Sequence, residues 1–296
     1  MTTGDSPPFV SPPSLRRSPP SFLGKGAGGL GNVLRLYWEV ARRGYQRYAT
    51  YRAATFAGVF TNTVFGFMRA YVFVALYTGM SRVGGLSLSD TLTYTFLTQG
   101  ILMVVYLWGW WEIALTIRSG DVVTDLSRPF DYQAYWLSQD LGRATYHAIF
   151  RGIPPFIVGA LVFHLALPHN PLVWLLFVLS LGLAVCVSFA FRFIVNLSAF
   201  WLLDYRGIGA ITAAIWTFLS GFAVPVAFFP GTLQTAARAL PFVAMLNTPV
   251  EVFLQRQHGL AVACVIATQA GWAVLLLLAG RLLLAAAMRK VVVQGG

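Results

Sequence analysis

The sequence has little charge for its length, and this scarcity excludes a soluble globular domain. Charged residues make up 10% of the 296 residues, whereas hydrophobic residues make up 57%. A soluble domain carries about 25% charged residues, because its surface must be compatible with water. Lipid must therefore cover most of the exterior, and the sequence predicts an integral membrane protein.

Cysteine and the residue patterns of enzyme active sites are also scarce. The two cysteines, Cys186 and Cys264, lie in apolar segments, so neither a CxxC metal site nor a disulfide is predicted. The sequence has no HExxH motif, no G-x-S-x-G motif and no pair of aspartates within an apolar segment. We therefore predict no catalytic residue, no metal site and no cofactor held by this chain.

Basic residues exceed acidic ones and give a net charge of +11, but their placement does not indicate nucleic acid. Most of them flank apolar runs, and they form no basic stripe with interleaved stacking aromatics. The sequence therefore predicts membrane lipid as a partner and no nucleic-acid partner.

Six long apolar segments are present, and each has the roughly 20 residues that a helix needs to cross a bilayer. They cover residues 53–79, 91–115, 144–167, 172–202, 208–229 and 260–288. Basic residues concentrate before the first segment, after the second and fourth, and after the last. By the positive-inside rule, both termini are predicted to be cytoplasmic. The predicted fold is an all-α polytopic membrane protein whose six transmembrane helices lie within residues 53–290.

The two ends of the chain differ in composition from this region. Residues 1–31 are rich in Pro, Ser and Gly and predict a disordered cytoplasmic tail, and residues 291–296 form a short C-terminal tail. Residues 32–52 have the period of an amphipathic helix, with apolar and aromatic residues on one face. The opposite face carries Arg35, Glu39, Arg42 and Arg43. This pattern predicts a helix in the membrane interface, and it also fits a basic juxtamembrane segment without a contact role.

Four of the ten acidic residues lie in one connection, residues 117–143, between the second and third apolar segments. Residues 121–126 predict a short helical turn that stops before Pro129. Asp131 predicts an N-cap for a second helix over residues 132–141, because its carboxylate can accept backbone N–H bonds. The connection is therefore predicted to be folded rather than a plain loop.

The same connection carries aromatic residues that we expect to be exposed: Phe130, Tyr132, Tyr135 and Trp136. A long connection with its own helices and clustered aromatics favours a protein-docking element. The alternative is an interfacial elbow, since Trp and Tyr also favour the level of the lipid headgroups.

Glycine and proline interrupt the chain around the end of the fifth apolar segment. Gly221 and Pro225 predict an irregular backbone over residues 221–230. Irregular backbone at membrane depth is tolerated only against protein or water, so this segment must face the protein interior or a translocation path. Residues 232–240 predict a short helix at the outer surface.

Five charged residues lie within the apolar segments: Arg69, Glu112, Arg151, Arg192 and Arg281. Arg151 and Arg281 lie close to the inner ends of their segments and can extend to the headgroups. Arg69 and Arg192 would be costly in hydrocarbon, so each faces a cavity, pairs with another charged group or extends to the headgroups. Glu112 either pairs with Arg118 or holds the inner end of the second span.

Two stretches of the sequence resemble parts of the permease subunits of type-2 ABC exporters, which move drugs, lipids and polysaccharides outward, and they occur in the same order as in that family. The stretch IRSGDVVTDLSRPFDYQ is similar to the cytoplasmic coupling-helix region of that family, between the second and third spans. The stretch SGFAVPVAFFPGTLQTAARALPFVAMLNTPVEVF is similar to the outer re-entrant hairpin before the last span. With the N-terminal interfacial helix and the six spans, the resemblance covers about residues 32–290.

The resemblance implies two permease subunits, identical or related, with two cytoplasmic ATP-binding subunits that hold ATP and Mg²⁺. The residues implied in docking the ATP-binding subunit are Gly120, Asp121, Asp125, Arg128, Pro129, Asp131 and Trp136. The candidate path residues, mostly on the second and fifth spans, are Arg69, Tyr106, Trp108, Phe218, Phe222 and Pro225. The implied function is ATP-driven export of an apolar or amphipathic substrate, such as a drug, an antibiotic or a lipid, across a bacterial plasma membrane.

Two other classes remain as alternatives. The first is a membrane protein without an ATPase, either a secondary transporter or a scaffold. A secondary transporter should have acids in the middle of its spans and a twofold repeat of helices, and the sequence has neither. A membrane-bound enzyme requires a catalytic cluster, which the sequence also lacks.

Overall fold

The computed structural model describes residues 30–106, 109–202 and 205–289, and within these ranges the fold is all-α, as predicted. The predicted tails, residues 1–31 and 291–296, lie outside the described residues except for the last two residues of the first. The helices are α1 Leu30–Ala49, α2 Arg52–Leu76, α3 Leu88–Val105, α4 Glu112–Ser119, α5 Val122–Leu126, α6 Tyr132–His147, α7 Ile153–Val162, α8 Pro171–Leu197, α9 Tyr205–Leu219, α10 Gly231–Arg238, α11 Pro241–Met245, α12 Asn247–Phe253 and α13 Leu260–Met288.

Among the described residues, three helices are long and apolar enough to cross a membrane. They cover Arg52–Leu76, Pro171–Phe200 and Leu260–Met288, where the second includes a final 3-10 turn after α8. A shorter apolar helix covers Arg206–Leu219. The three long helices correspond to the first, fourth and sixth predicted spans, and the shorter helix corresponds to the fifth. α8 is central, because α13, α11 and α12 all pack against it.

The second predicted span, residues 91–115, is not one helix, and the prediction of a continuous helix is wrong. α3 ends at Val105, and the next residue, Tyr106, has a left-handed backbone with a φ of 48°. Gly109 has a φ of 80°, and α4 begins only at Glu112. The positive φ values break the helical hydrogen-bond ladder, and the freed backbone groups need partners from elsewhere.

The third predicted span, residues 144–167, is the end of a longer helical segment. α6 runs from Tyr132 to His147, a π-helical turn covers Ala148–Gly152, and α7 continues to Val162. α7 has proline in its first turn, where the N–H that proline lacks cannot continue the helical hydrogen bonds, and the π turn lies directly before this point. The connection before the third span and the span itself therefore form one nearly continuous rod.

The fifth predicted span, residues 208–229, is shorter in the structure, because α9 ends at Leu219. Gly221 follows with a φ of 86°, a conformation that favours glycine. The irregular segment is partly interior, as expected, and Pro225 is buried. α10 agrees with the short helix predicted over residues 232–240, and α11 and α12 follow it before α13.

α1 lies directly along α6, and two glycines permit the close approach. A Cβ atom at Gly142 would meet the backbone of Ala41, and a Cβ atom at Gly44 would meet the backbone of Gln139. No larger residue fits at either position without moving one helix away from the other.

The main hydrophobic core lies between α3, α8, α9, α11, α12 and α13. Its buried members include Tyr94, Val187, Trp216, Met245 and Phe253. A second cluster joins α4, α5, α6, α8 and α13, so the connection after α4 packs on the central helix.

Candidate functional site

The interruption after α3 is stabilised by side chains from other helices. Arg143 on α6 donates to the carbonyl oxygen of Met103 at 2.6 Å and to that of Val104 at 2.8 Å. The Ser188 hydroxyl on α8 donates to the carbonyl of Val105. The last carbonyls of a helix have no partner within it, so Arg143 and Ser188 satisfy groups that hydrocarbon could not.

On the other side of the interruption, Asn196 on α8 uses both ends of its amide group. Its Oδ1 accepts a hydrogen bond from the backbone N–H of Ala114 at 3.0 Å. Its Nδ2 donates to the carbonyl of Trp110 at 2.9 Å. Asn196 thus caps the start of α4, as Arg143 caps the end of α3.

A buried carboxylate joins the two arginines of this region. Asp140 on α6 accepts from Arg143 Nε at 2.7 Å and from Arg192 Nη2 on α8 at 2.7 Å. Asp140 and Arg143 are 2% exposed and Arg192 is 8% exposed. The guanidinium of Arg143 lies 4.7 Å from the ring centroid of Tyr106, and that of Arg192 lies 5.0 Å from the ring of Trp110. These contacts place charge over aromatic faces, which partly replaces the lost hydration.

Asp140, Arg143, Ser188, Arg192 and Asn196 form what we term the polar network. Of these residues, only Arg192 was expected from the sequence to need a buried partner, and its ion pair with Asp140 is one of the alternatives expected for it. A further signal was present in the sequence. Ser188, Arg192 and Asn196 are spaced four residues apart, so they lie on one face of α8. Such a polar stripe in an otherwise apolar helix indicates a buried polar partner.

The residues implied in docking lie on the connection between α4 and α6. Gly120, Asp121, Arg128 and Pro129 are exposed. Asp125 is half-buried, and its Oδ1 lies 3.6 Å from Arg128 Nη2. Burial raises the pKa of the Asp125 carboxyl above its ordinary value. These residues are available to a partner without unfolding the connection.

Asp131 caps α6, as predicted. Its Oδ1 accepts from the backbone N–H of Ala134 at 2.7 Å. Its Oδ2 lies 2.8 Å from Arg281 Nη2 on α13, and its own N–H donates to the Tyr37 hydroxyl on α1 at 3.3 Å. The start of α6 is therefore tied to the first and the last described helices.

The expectation that Tyr132 and Trp136 are exposed is wrong. Tyr132 is 5% exposed and Trp136 is 7% exposed. The Trp136 ring meets the Trp110 ring edge-on, with centroids 5.8 Å apart. The connection folds back on α4 and α8 and buries the apolar face of α6, while Phe130 and Tyr135 stack on each other nearer the surface. Trp136 therefore supports the connection between α4 and α6 from inside.

The charged face predicted for α1 lies at the surface. Arg35, Arg42 and Arg43 are exposed, and Glu39 lies 3.6 Å from Arg42 in an ion pair. Exposed ion pairs of this kind contribute about 0–1 kcal/mol to stability. Breaking this pair to contact another molecule would therefore cost little.

Glu112 pairs with α1 rather than with Arg118, which corrects one of the two alternatives expected for it. Its Oε2 lies 2.9 Å from Nη1 of Arg47. The pair joins the C-terminal end of α1 to the first turn of α4, immediately after the interruption. Both alternatives involve only nearby residues, whereas the observed partner lies 65 residues earlier in the sequence.

The interruption after α9 is stabilised in the same way as the one after α3. Arg69 on α2 donates through Nη2 to the carbonyl of Phe222 at 2.5 Å. The Tyr94 hydroxyl on α3 lies 2.8 Å from the carbonyl of Gly221 and 3.0 Å from Oδ1 of Asn247. Arg69 is thus a partner for free backbone carbonyls inside the protein, an arrangement outside the alternatives expected for it.

Among the other candidate path residues, Phe222 contacts Arg69, whose guanidinium lies 5.0 Å from the centroid of its ring. Tyr106 lies at the first interruption, Phe218 is 49% exposed on α9, and Pro225 is buried beyond the end of α9. Trp108 lies outside the described residues. None of the described candidates lines the cavity that is present nearby.

A cavity of about 370 Å³ lies between the start of α4, the second half of α8 and α9. Its large apolar lining residues are Trp110, Trp111, Phe191, Trp216 and Met245. Its polar lining residues are Ser188, Arg192, Asn196, Arg206 and Thr212. Three members of the polar network therefore border the cavity. At its edge the Trp111 indole packs directly on Gly209, where a Cβ atom would overlap the ring.

On the segment after α9, an ion pair joins α10 to α12. Arg238 Nη2 lies 2.6 Å from Oε1 of Glu251, and Gln257 Nε2 donates to Oε2 of Glu251 at 3.1 Å. The hydrogen bond that the Arg238 guanidinium donates to the Glu251 carboxylate raises the pKa of Arg238. This pair fixes the position of α10 on the rest of the fold.

Long apolar helices, interrupted helices with buried caps and a lipid-compatible exterior define an all-α, multi-pass membrane protein. The sequence matches the family described as ABC-2 family transporter protein over residues 63–295, and the chain belongs to this family. It is a permease subunit of an ABC transporter, which confirms the resemblance. Membership implies that it works with an ATP-binding subunit. A search of the curated proteins and a search of the solved structures gave no match.

Proposed function

We propose that this permease subunit belongs to an ATP-driven exporter that moves an apolar or amphipathic substrate out of a bacterial cell. The observation that carries the proposal is the connection from α4 to α6. Its exposed residues are accessible to a cytoplasmic partner, while Arg143, which is ion-paired to Asp140 on α6, reaches the interrupted helix. Family membership supports the separate ATP-binding subunit that this arrangement requires.

The proposed topology has six crossings and both termini in the cytoplasm. The crossings are α2, α3 with α4, α6 with α7, α8, α9 with the segment after it, and α13. α10 to α12 form the outer re-entrant hairpin. α1 lies in the inner membrane interface, where its exposed Trp38 and Leu34, at 70% and 61%, contact lipid and its arginines face the headgroups.

The proposed docking surface consists of Gly120, Asp121, Asp125, Arg128, Pro129 and Asp131. ATP and Mg²⁺ bind to the partner, and closure of the ATP-binding subunits displaces this surface. Because α6 continues into the third span, the displacement moves Arg143, which caps the end of α3. The closed ATP-binding subunits then bind one state of the permease more tightly than the other. This difference in affinity shifts the population toward the state that fits them better.

The proposed assembly contains two permease subunits, identical or related, and two ATP-binding subunits. One chain supplies one copy of the proposed docking surface and borders the cavity between α4, α8 and α9. A pair of permeases encloses a path between them, and a pair of ATP-binding subunits gives a symmetric closing motion.

The test is co-purification in mild detergent of the full chain with the soluble ATP-binding subunit from its native cells. We expect a stoichiometric ATPase with the unchanged chain, and its loss in the double variant Asp121→Lys, Arg128→Glu. The matched control is Arg82→Glu, an exposed charge reversal on the connection between α2 and α3, which we expect to retain the ATPase. Thermal unfolding of all three proteins shows whether the fold is intact.

The proposal fails if the unchanged chain purifies alone and no ATP-binding subunit can be reconstituted onto it. It also fails if the double variant binds the ATPase as well as the control does. A second permease that co-purifies identifies the assembly as heteromeric.

A further inference from the structure

We propose that the groove between α2 and the π-helical turn binds an anionic phospholipid, whose phosphate contacts the Arg151 guanidinium and whose acyl chains lie along the third crossing. The inner leaflet as the source of this lipid follows from the proposed topology. The site itself depends neither on ATP nor on the ATP-binding subunit.

Arg151 is a charged residue of an apolar segment that lacks an acceptor in the described protein. It lies in the π-helical turn Ala148–Gly152 and is half-buried. It makes no hydrogen bond and no ion pair with the residues that the structure describes, and its Nε is buried without a partner. An unpaired guanidinium is costly in hydrocarbon, so we expect its acceptor to come from outside this chain.

The other arginines of the apolar segments each have an acceptor in the protein. Arg69 donates to a backbone carbonyl, Arg192 pairs with Asp140, and Arg281 pairs with Asp131. The arginine of the π turn is therefore the exception within the part of the chain that the structure describes. A π turn inserted in an α-helix is often found at a functional site, which agrees with a binding role here.

The carboxylates on this side of the fold already have partners. The acidic residues of α1, of α4, of the connection after it and of α6 each contact another side chain: Glu39, Glu112, Asp121, Asp125, Asp131 and Asp140. None of these described carboxylates pairs with Arg151. The positive charge is thus left for an anion that the chain does not supply.

The guanidinium occupies a defined place between two helices. It lies directly on the backbone of Gly58 on α2, where a Cβ atom would overlap it. Gly58 is six residues from the start of α2, which is about 9 Å along the helix. A long basic side chain at this depth can extend toward the headgroups, so a lipid phosphate is within its reach.

Exposed apolar side chains surround the same turn. Ile149 and Phe150 are both 44% exposed, and Ile153 at the start of α7 is 50% exposed. In a bilayer these side chains contact acyl chains rather than water. The occupant must therefore present an acid to Arg151 and hydrocarbon to its neighbours, and this is the chemistry of a phospholipid.

The charge of the groove favours an anionic phospholipid over a zwitterionic one. Arg52 is exposed at the start of α2 and pairs with no described acid, so it adds a second positive charge near the inner end of the helix. The phosphate of phosphatidylcholine carries its own cation, which the two arginines repel. A headgroup with a net negative charge gains from both of them, as in other basic pockets between transmembrane helices.

The experiment measures the lipid that the purified full-length permease retains. The protein is equilibrated in nanodiscs with equal amounts of phosphatidylglycerol and phosphatidylcholine, released into mild detergent and examined by native mass spectrometry. We expect the unchanged chain to retain phosphatidylglycerol with about a tenfold preference, which corresponds to one hydrogen bond to a charged group.

The variants separate the charge of Arg151 from its position. Arg151→Gln should reduce the preference about tenfold, to near parity, whereas Arg151→Lys should retain part of it because the charge remains. Gly58→Ala keeps the charge, but its methyl group displaces the guanidinium from the groove, so it should also lower the preference. The matched control is Arg82→Gln, an exposed arginine on the connection between α2 and α3, which should keep the full preference.

Thermal unfolding with and without phosphatidylglycerol gives a second readout and shows whether each variant is folded. The lipid should raise the melting temperature of the unchanged chain and of Arg82→Gln, and it should not raise that of Arg151→Gln.

Equal retention of the two lipids by the unchanged chain would overturn the proposal. An unchanged preference in Arg151→Gln or in Gly58→Ala would do the same, as would an equal loss in the Arg82→Gln control. Loss of a second permease subunit in Arg151→Gln, with lipid retention unchanged, would assign Arg151 to a protein interface instead. None of these measurements involves the ATP-binding subunit, so their failure is distinguishable from failure of the co-purification test.

Discussion

Asp140 on α6 and Arg192 on α8 form a 2.7 Å ion pair inside the protein. The pair links α6, which directly follows the proposed docking surface, to α8, which lines the cavity. Arg192 borders the cavity, and Asp140 lies on the helix that Asp131 caps. If a partner displaces α6, we expect either that α8 moves with it or that this buried ion pair breaks, and either outcome should change the cavity.

Replacement of Asp140 by Asn should strongly destabilise the permease. The change leaves Arg143 and Arg192 facing each other without a carboxylate, and removal of one partner from a buried ion pair costs about 3–5 kcal/mol. Thermal unfolding in detergent measures the loss. The matched control is Glu39→Gln, which removes an exposed carboxylate paired with Arg42 and should change stability by less than about 1 kcal/mol. Equal melting temperatures for the two variants would contradict the role of the polar network.

Replacement of Arg69 by Gln should loosen the segment after α9 while the rest of the fold persists. The shorter Gln side chain withdraws the donor from the Phe222 carbonyl, and loss of a partner for this part-buried acceptor costs about 1–3 kcal/mol. Hydrogen exchange should accelerate in residues 220–225 and remain slow in α8. Arg69→Lys should restore part of the protection because it keeps one donor. Unchanged exchange in Arg69→Gln would show that Arg69 does not hold this segment.

Replacement of Gly142 by Leu should separate α1 from α6. A Cβ atom at this position already meets the Ala41 backbone, so the larger side chain forces the helices apart at a cost of about 1–3 kcal/mol. Cross-linking of cysteines placed at Tyr45 and Ser138 should fall in the variant. Gly182→Leu on α8 serves as the control, because a Cβ atom there meets nothing within 4 Å. Undiminished cross-linking would show that the helices tolerate a wider separation.

Replacement of Asp125 by Asn should leave the fold at least as stable at neutral pH. Burial raises the pKa of Asp125, so the folded state holds the proton more tightly than the unfolded state does. Its favourable contribution is therefore present below the ordinary carboxyl pKa and is lost as the pH rises through the raised pKa. Asn does not titrate, so the free energy of unfolding of the variant should vary less with pH between the ordinary carboxyl pKa and the raised pKa of Asp125. A variant that is clearly less stable at pH 7 would show that the pair with Arg128 outweighs burial.

Features that depend on neighbours in the sequence were predictable. Asp131 caps α6 because its carboxylate meets the backbone N–H of Ala134, three residues later. The short helix α5 and the irregular segment after α9 likewise follow from Asp, Pro and Gly at fixed local positions. The family itself could be recognised from two such stretches in the right order.

Features that depend on partners far along the chain were not predictable. Hydropathy treats residues 91–115 as one span, because the apolar residues continue through the interruption. The break is stable only because Arg143 and Ser188 reach carbonyls that are 40 and 83 residues away in sequence. In the same way, Trp136 looks like a surface aromatic until the connection folds back onto Trp110.

The interruption after α3 also sets an order for membrane insertion. During synthesis the second apolar segment leaves the ribosome before Arg143, and well before Ser188 and Asn196. Until these residues arrive, a broken helix would expose free carbonyls to lipid, which is unfavourable. The segment must therefore enter the bilayer as an unbroken helix, or wait beside the insertion machinery, and take its final shape only when the fourth segment has joined it.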